Sequence, residues 1–86
     1  MDIEQELRTH LTETAPRPEL VQTIPADRSL VSSGILDSLG MLNLSLFIEE
    51  RFQLNVPKED LVSANFGTIN RIVSYVQRLS SKEYIP

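Results

Sequence analysis

The chain has 86 residues and no cysteine, which allows one small domain and excludes both a disulfide framework and thiol chemistry of its own. Its 12 acidic residues outnumber its 8 basic ones, giving a net charge of -4, and that balance argues against a nucleic-acid partner. No apolar run approaches the roughly 20 residues of a bilayer span, and Met1-Asp2-Ile3-Glu4 opens without an apolar leader, so the cytoplasm is the expected compartment and no membrane insertion is expected.

Ile3, Leu7 and Leu11 recur at helical spacing between Glu4, Glu6 and Arg8, which predicts a first helix over about residues 2–14. Pro16 and Pro18 end it. A long connection follows to residue 36, with Pro25 and Gly34 within it. Leu20, Val21, Ile24, Leu30, Val31, Ile35 and Leu36 are its available anchors, and Leu20 to Thr23 fits a helical turn. A second helix is expected from Ser38 to Phe52. Pro57 suits the first turn of a short third helix over about residues 57–63. Gly67-Thr68 opens the last helix, whose stripe is Ile69, Ile72, Val73, Val76 and Leu79. The expected class is all-α: a four-helix bundle of three longer helices and one short one, with a long loop between the first two. Residues 1–80 form its single domain, and 81–86 are expected as a flexible tail.

The second helix carries two apolar stripes. Met41, Leu44, Ser45, Ile48 and Phe52 fall on one face, and Leu39, Leu42 and Leu46 on another. Two arrangements remain open for the second stripe. Loop residues such as Leu30 and Ile35 bury it, starting with Leu39, or it is a docking strip rimmed by Glu49 and Glu50. Phe47 lies on the polar flank, with the short helix or a partner as its expected neighbour. Ser38 stands one residue before the strip, behind Asp37, where a serine suits the N-cap of a helix. His10, the single histidine, lies on the apolar side of the first helix and reads as a partly buried packing residue. Neither Glu49-Glu50 nor Glu59-Asp60 has the loop spacing of a calcium site, and no glycine pattern forms a phosphate loop.

Leu30-Val31-Ser32-Ser33-Gly34-Ile35-Leu36-Asp37-Ser38-Leu39, then Ile48-Glu49-Glu50-Arg51-Phe52 and Val56-Pro57, closely resembles the acyl carrier protein family over nearly the whole chain. The resemblance implies that Ser38 is esterified with 4′-phosphopantetheine, whose thiol holds an acyl or aminoacyl group. It also implies that Asp37 is the acidic neighbour used by the phosphopantetheinyl transferase, commonly with magnesium. Leu39, Leu42, Leu46, Glu49 and Glu50 become the expected partner surface. The implied partners are that transferase, an acyl- or aminoacyl-activating ligase and downstream acyl-using enzymes, with the carrier a monomer and not an enzyme. A carrier without cysteine must borrow its thiol, and Ser38 has no evident base of its own. Gly40 and Asn43 stand where carriers of primary fatty-acid synthesis usually have acidic residues, so the pattern looks more like stand-alone carriers of specialised pathways: polyketide-type, aminoacyl or D-alanine carriers. The competing reading is a helical interaction module in which Ser38 is only an N-cap and the leucine stripe binds a partner helix.

Overall fold

The computed structural model describes residues 2–15 and 18–84, and side chains through Ser81. Pro16, Ile85 and Pro86 lie outside the described residues. The first helix, α1 (Ile3–Thr14), starts at Asp2, whose carboxylate accepts a hydrogen bond from the Gln5 N–H at 3.2 Å. It stops at Ala15, held extended at φ -76° and ψ 148°, as a residue before proline prefers. Leu7 and Leu11 are buried along its inner face.

A short helix, α2 (Pro18–Val21), takes the place of the single turn expected in the long loop. The loop is packed by its own side chains: Val21, Ile24, Leu30, Ile35 and Leu36 are all buried. Val31 departs from the expected anchors and is 49% exposed. Backbone hydrogen bonds fix the loop's path, since a buried amide without a partner is costly. Leu30 N–H donates to the Gly67 carbonyl and Asn70 N–H to the Ala26 carbonyl, each at 2.9 Å. Arg8 ties α1 to the loop by donating to the Val21 carbonyl at 2.7 Å. Gly34, at φ +80°, supplies a left-handed turn in the loop, a conformation open to glycine at little cost.

The next helix, α3 (Ser38–Phe52), buries Leu44, Ser45 and Ile48, while Met41 and Phe52 are only partly covered. The Ser45 hydroxyl is satisfied within the helix, donating to the Leu42 carbonyl at 2.7 Å. Gln53 ends the helix in the left-handed region at φ 57°. The Glu49 carboxylate then accepts the Val56 N–H at 2.8 Å and clamps the chain that leaves the helix.

The short helix expected over about residues 57–63 is instead two pieces, a 3₁₀ turn (Lys58–Asp60) and a helix, α4 (Ser63–Phe66). The break has a local cause. The Asp60 carbonyl accepts from the Asn65 side-chain amide and from the Val62 N–H, so it is not available to continue a helix. The Asp60 carboxylate meanwhile accepts the Tyr75 hydroxyl at 2.6 Å. Val62 between the pieces is extended.

The last helix, α5 (Ile69–Tyr84), has Thr68 before it, whose hydroxyl accepts the Arg71 N–H at 3.1 Å. Ile69, Ile72 and Val76 are fully buried and Tyr75 nearly so, against Phe66 of α4. Glycine is required at position 67, because a Cβ there would lie 2.5 Å from the Ser63 carbonyl oxygen. The backbone stays helical through Tyr84, past the boundary expected at residue 80. The architecture is the expected all-α bundle, with α1, α3 and α5 as its long members.

Candidate functional site

The loop delivers its last residues to the start of α3 through a tight turn in which Ile35 and Leu36 N–H groups both donate to the Leu30 carbonyl, at 3.0 and 3.1 Å. Buried Ile35 and Leu36 anchor this turn, so the exposed residues that follow, Asp37 and Ser38, stand at its tip. The expectation that Ser38 caps the helix is corrected here. Asp37 is the N-cap: its backbone is extended and its carboxylate accepts the Gly40 N–H at 2.7 Å. Both residue types cap well, and the structure uses the one that also places a negative charge against the helix dipole. Ser38 is therefore the first residue of the helix proper, with its hydroxyl relieved of capping. Helix start, neighbouring carboxylate and exposed hydroxyl meet in two adjacent residues.

The leucine strip is open. Leu39 is 66% exposed, Leu42 40% and Leu46 55%. Of the two arrangements left open, burial by loop residues starting with Leu39 is not the one adopted: Leu30 and Ile35 are themselves buried in the core and leave Leu39 exposed. The two rim carboxylates differ. Glu50 is exposed, whereas Glu49 is half-buried and holds the Val56 N–H. Arg51 is tied to α1 by a two-pronged pair with Glu6, its Nε at 3.0 Å and its Nη2 at 2.8 Å from the carboxylate. That carboxylate keeps the guanidinium charged and raises its pKa further.

Phe47 is partly buried and packs toward α1 rather than beside the short helix. Its ring stacks on His10 of α1 at 4.3 Å between centroids and meets Phe52 edge-on at 6.3 Å. His10 has the packing role expected of it. Its Nε2 is buried without a hydrogen-bond partner among the described residues. Burial holds its pKa below the ordinary 6.5, with Glu13 opposing the shift. Sequence reasoning missed Val62, which is 47% exposed between the two short helical pieces, because its neighbourhood reads as ordinary helix. It also missed the Tyr75–Asp60 hydrogen bond. Burial and that carboxylate together raise the Tyr75 hydroxyl far above its ordinary value and keep it a donor.

Among the described residues no helix is long and apolar enough to cross a membrane. A family profile described as "Phosphopantetheine attachment site" matches residues 5–76. The chain is 36% identical over 53 residues to the D-alanyl carrier protein of Streptococcus suis (strain 98HAH33), covering 62% of this chain and 67% of that protein. It is 34% identical over 59 residues to the acyl carrier protein of Rhodococcus erythropolis, covering 69% of this chain and 63% of that protein. It is 42% identical over 60 residues to the lincomycin biosynthesis protein LmbN of Streptomyces lincolnensis, covering 70% of this chain but 22% of that protein. With an all-helical bundle of this order and a match across most of its length, the chain belongs to the phosphopantetheine-binding carrier protein family, whose prosthetic group is 4′-phosphopantetheine.

Proposed function

We propose that the chain carries acyl or aminoacyl groups as thioesters on a 4′-phosphopantetheine arm at Ser38 and delivers them to partner enzymes in a specialised biosynthetic pathway. One observation carries this reading: Ser38 is exposed at the first position of α3, and Asp37 performs the capping that would otherwise occupy its hydroxyl. The site suits the group. The first turn of a helix has N–H groups without intrahelical acceptors, and the dipole there favours a phosphodiester. Bound there, the arm supplies a thiol that the chain lacks. In the loading reaction the Ser38 oxygen bonds to the phosphorus of coenzyme A, adenosine 3′,5′-bisphosphate leaves, and the serine proton passes to a base of the transferase. Asp37 stands beside the reacting oxygen as the acidic neighbour for that enzyme and its magnesium.

Leu39, Leu42 and Leu46 offer the apolar contact for the transferase, an acyl- or aminoacyl-activating ligase and downstream acyl-using enzymes. Glu50 is the free rim carboxylate on α3. The specialised pathway is supported by neutral Gly40 and Asn43 on the front of α3 and by relatives named for D-alanine and lincomycin. The carrier works as a cytoplasmic monomer without turnover of its own. The competing interaction-module reading gives Ser38 no role beyond a cap, and with Asp37 as the N-cap it leaves the exposed serine unexplained.

Intact mass after incubation with coenzyme A, magnesium and a phosphopantetheinyl transferase tests the assignment. A single phosphopantetheinyl addition is expected on the wild type and none on Ser38→Ala. The variant should keep its stability to within about 0.5 kcal/mol, since the cap is untouched. Addition to Ser38→Ala moves the site elsewhere, and no addition to either protein removes the carrier reading.

A further inference from the structure

A cleft of about 130 Å³ lies between the end of α1, the last turn of the loop and the front of α3. Asp37 and Leu39, the residues on either side of Ser38, both line it, and Ala15, Ile35 and Leu36 complete an apolar floor. Asn43 stands at its rim with an exposed side chain. Gly40 keeps the cleft open: a Cβ there would lie 3.1 Å from Leu36 Cδ1 and 3.2 Å from the capping Asp37 oxygen. This gives a reason for glycine inside a helix, where it costs about 0.5–1 kcal/mol relative to alanine.

The volume restricts what can enter. Drug-sized ligand sites are larger, at about 300–1,000 Å³. A long acyl chain does not fit. The first apolar group of a phosphopantetheine arm does. Directly after the phosphate come a methylene and a carbon bearing two methyl groups, then a carbon bearing a hydroxyl. This sequence of groups matches a small apolar floor with a polar rim, one residue from the attachment point.

Resting on the reading of Ser38 as the attachment site, we infer that this cleft docks the proximal, dimethyl-bearing end of the arm. Ala15, Leu36 and Leu39 contact the methyl groups. Asn43 and the Asp37 carboxylate oxygen outside the cap are placed for the hydroxyl. The arm is thereby aimed at its root, and the thiol end stays free to reach enzymes.

The test uses holo protein prepared with coenzyme A carrying ¹³C in the two methyl groups. Isotope-filtered nuclear Overhauser spectra should connect those methyls to the Ala15 and Leu39 methyl groups, and the Asn43 amide should shift between apo and holo forms. Ala15→Leu, which fills the floor, should lose these cross-peaks and still accept the arm by mass. The wild-type spectrum decides the matter even if that variant does not fold. Methyls that show no contact with the protein in a fully loaded sample overturn the docking inference and leave the attachment intact. Absence of loading by mass overturns the attachment itself.

Discussion

Helices α3 and α5 are nearly equal in length, 15 and 16 residues, yet they use apolar side chains in opposite ways. In α5, Ile69, Ile72, Tyr75 and Val76 all face inward, so the helix is a scaffold member with one stripe and one job. In α3, Leu44 and Ile48 face inward while Leu39, Leu42 and Leu46 stand in solvent. A domain this small has little apolar surface to spare. Three leucines of one helix are thus left outside what the fold needs, which is the surface proposed above for partners.

The sharpest way to break this contrast is to truncate each face in turn. Leu44→Ala should destabilise the fold by about 2–5 kcal/mol, as for other fully buried leucines, read from denaturant midpoints. Leu46→Asp should change stability by about 0.5 kcal/mol or less while loading by the transferase drops about tenfold or more. A Leu46→Asp protein that unfolds would place the strip in the core.

The two glutamates sharpen the same division within one turn. Glu49→Gln weakens the acceptor for the Val56 N–H and should lower stability by about 1 kcal/mol. Glu50→Lys should leave stability nearly unchanged and slow partner association, with an effect that shrinks as salt rises. Equal behaviour of the two variants would dissolve the distinction.

The smallest expected effect concerns the seam between α1 and α3. Because burial depresses the His10 pKa, the unfolded chain takes up its proton first as pH falls. The stability this ring contributes is present above its ordinary 6.5 and is lost as pH falls from there through the lower folded value. His10→Phe keeps a ring against Phe47 and removes the unpartnered Nε2. It should be more stable by up to about 1 kcal/mol and lose that part of the acid dependence. Parallel pH profiles for the two proteins would show that the ring is not a titrating element of the fold.

Much of this molecule is legible from pattern alone. Strong periodicity located α1 and α5, and the paired stripes of α3 were visible because helical spacing separates them cleanly. What the pattern could not give were contacts decided by tertiary geometry. Asp37 and Ser38 are both good caps, and only the position of the Gly40 N–H chooses between them. Leu39 looked coverable because the loop is rich in apolar residues, but those residues found the core first. The short helix split because Asp60 and Asn65 formed side-chain and backbone bonds that periodicity does not encode. Glu49 looked like Glu50, although only one of them has an amide within reach.

The hydrogen bonds from Leu30 to Gly67 and from Asn70 to Ala26 have a consequence for the order of assembly. The helices α1 and α3 hold most of their own backbone bonds and can form early, close in sequence. The loop cannot take its path until the first turn of α5 has arrived from the far end of the chain. Loop and C-terminal helix thus gain and lose order together. On a ribosome, the stretch that leads into Asp37 and Ser38 is not held by these two bonds until Gly67 and Asn70 have emerged.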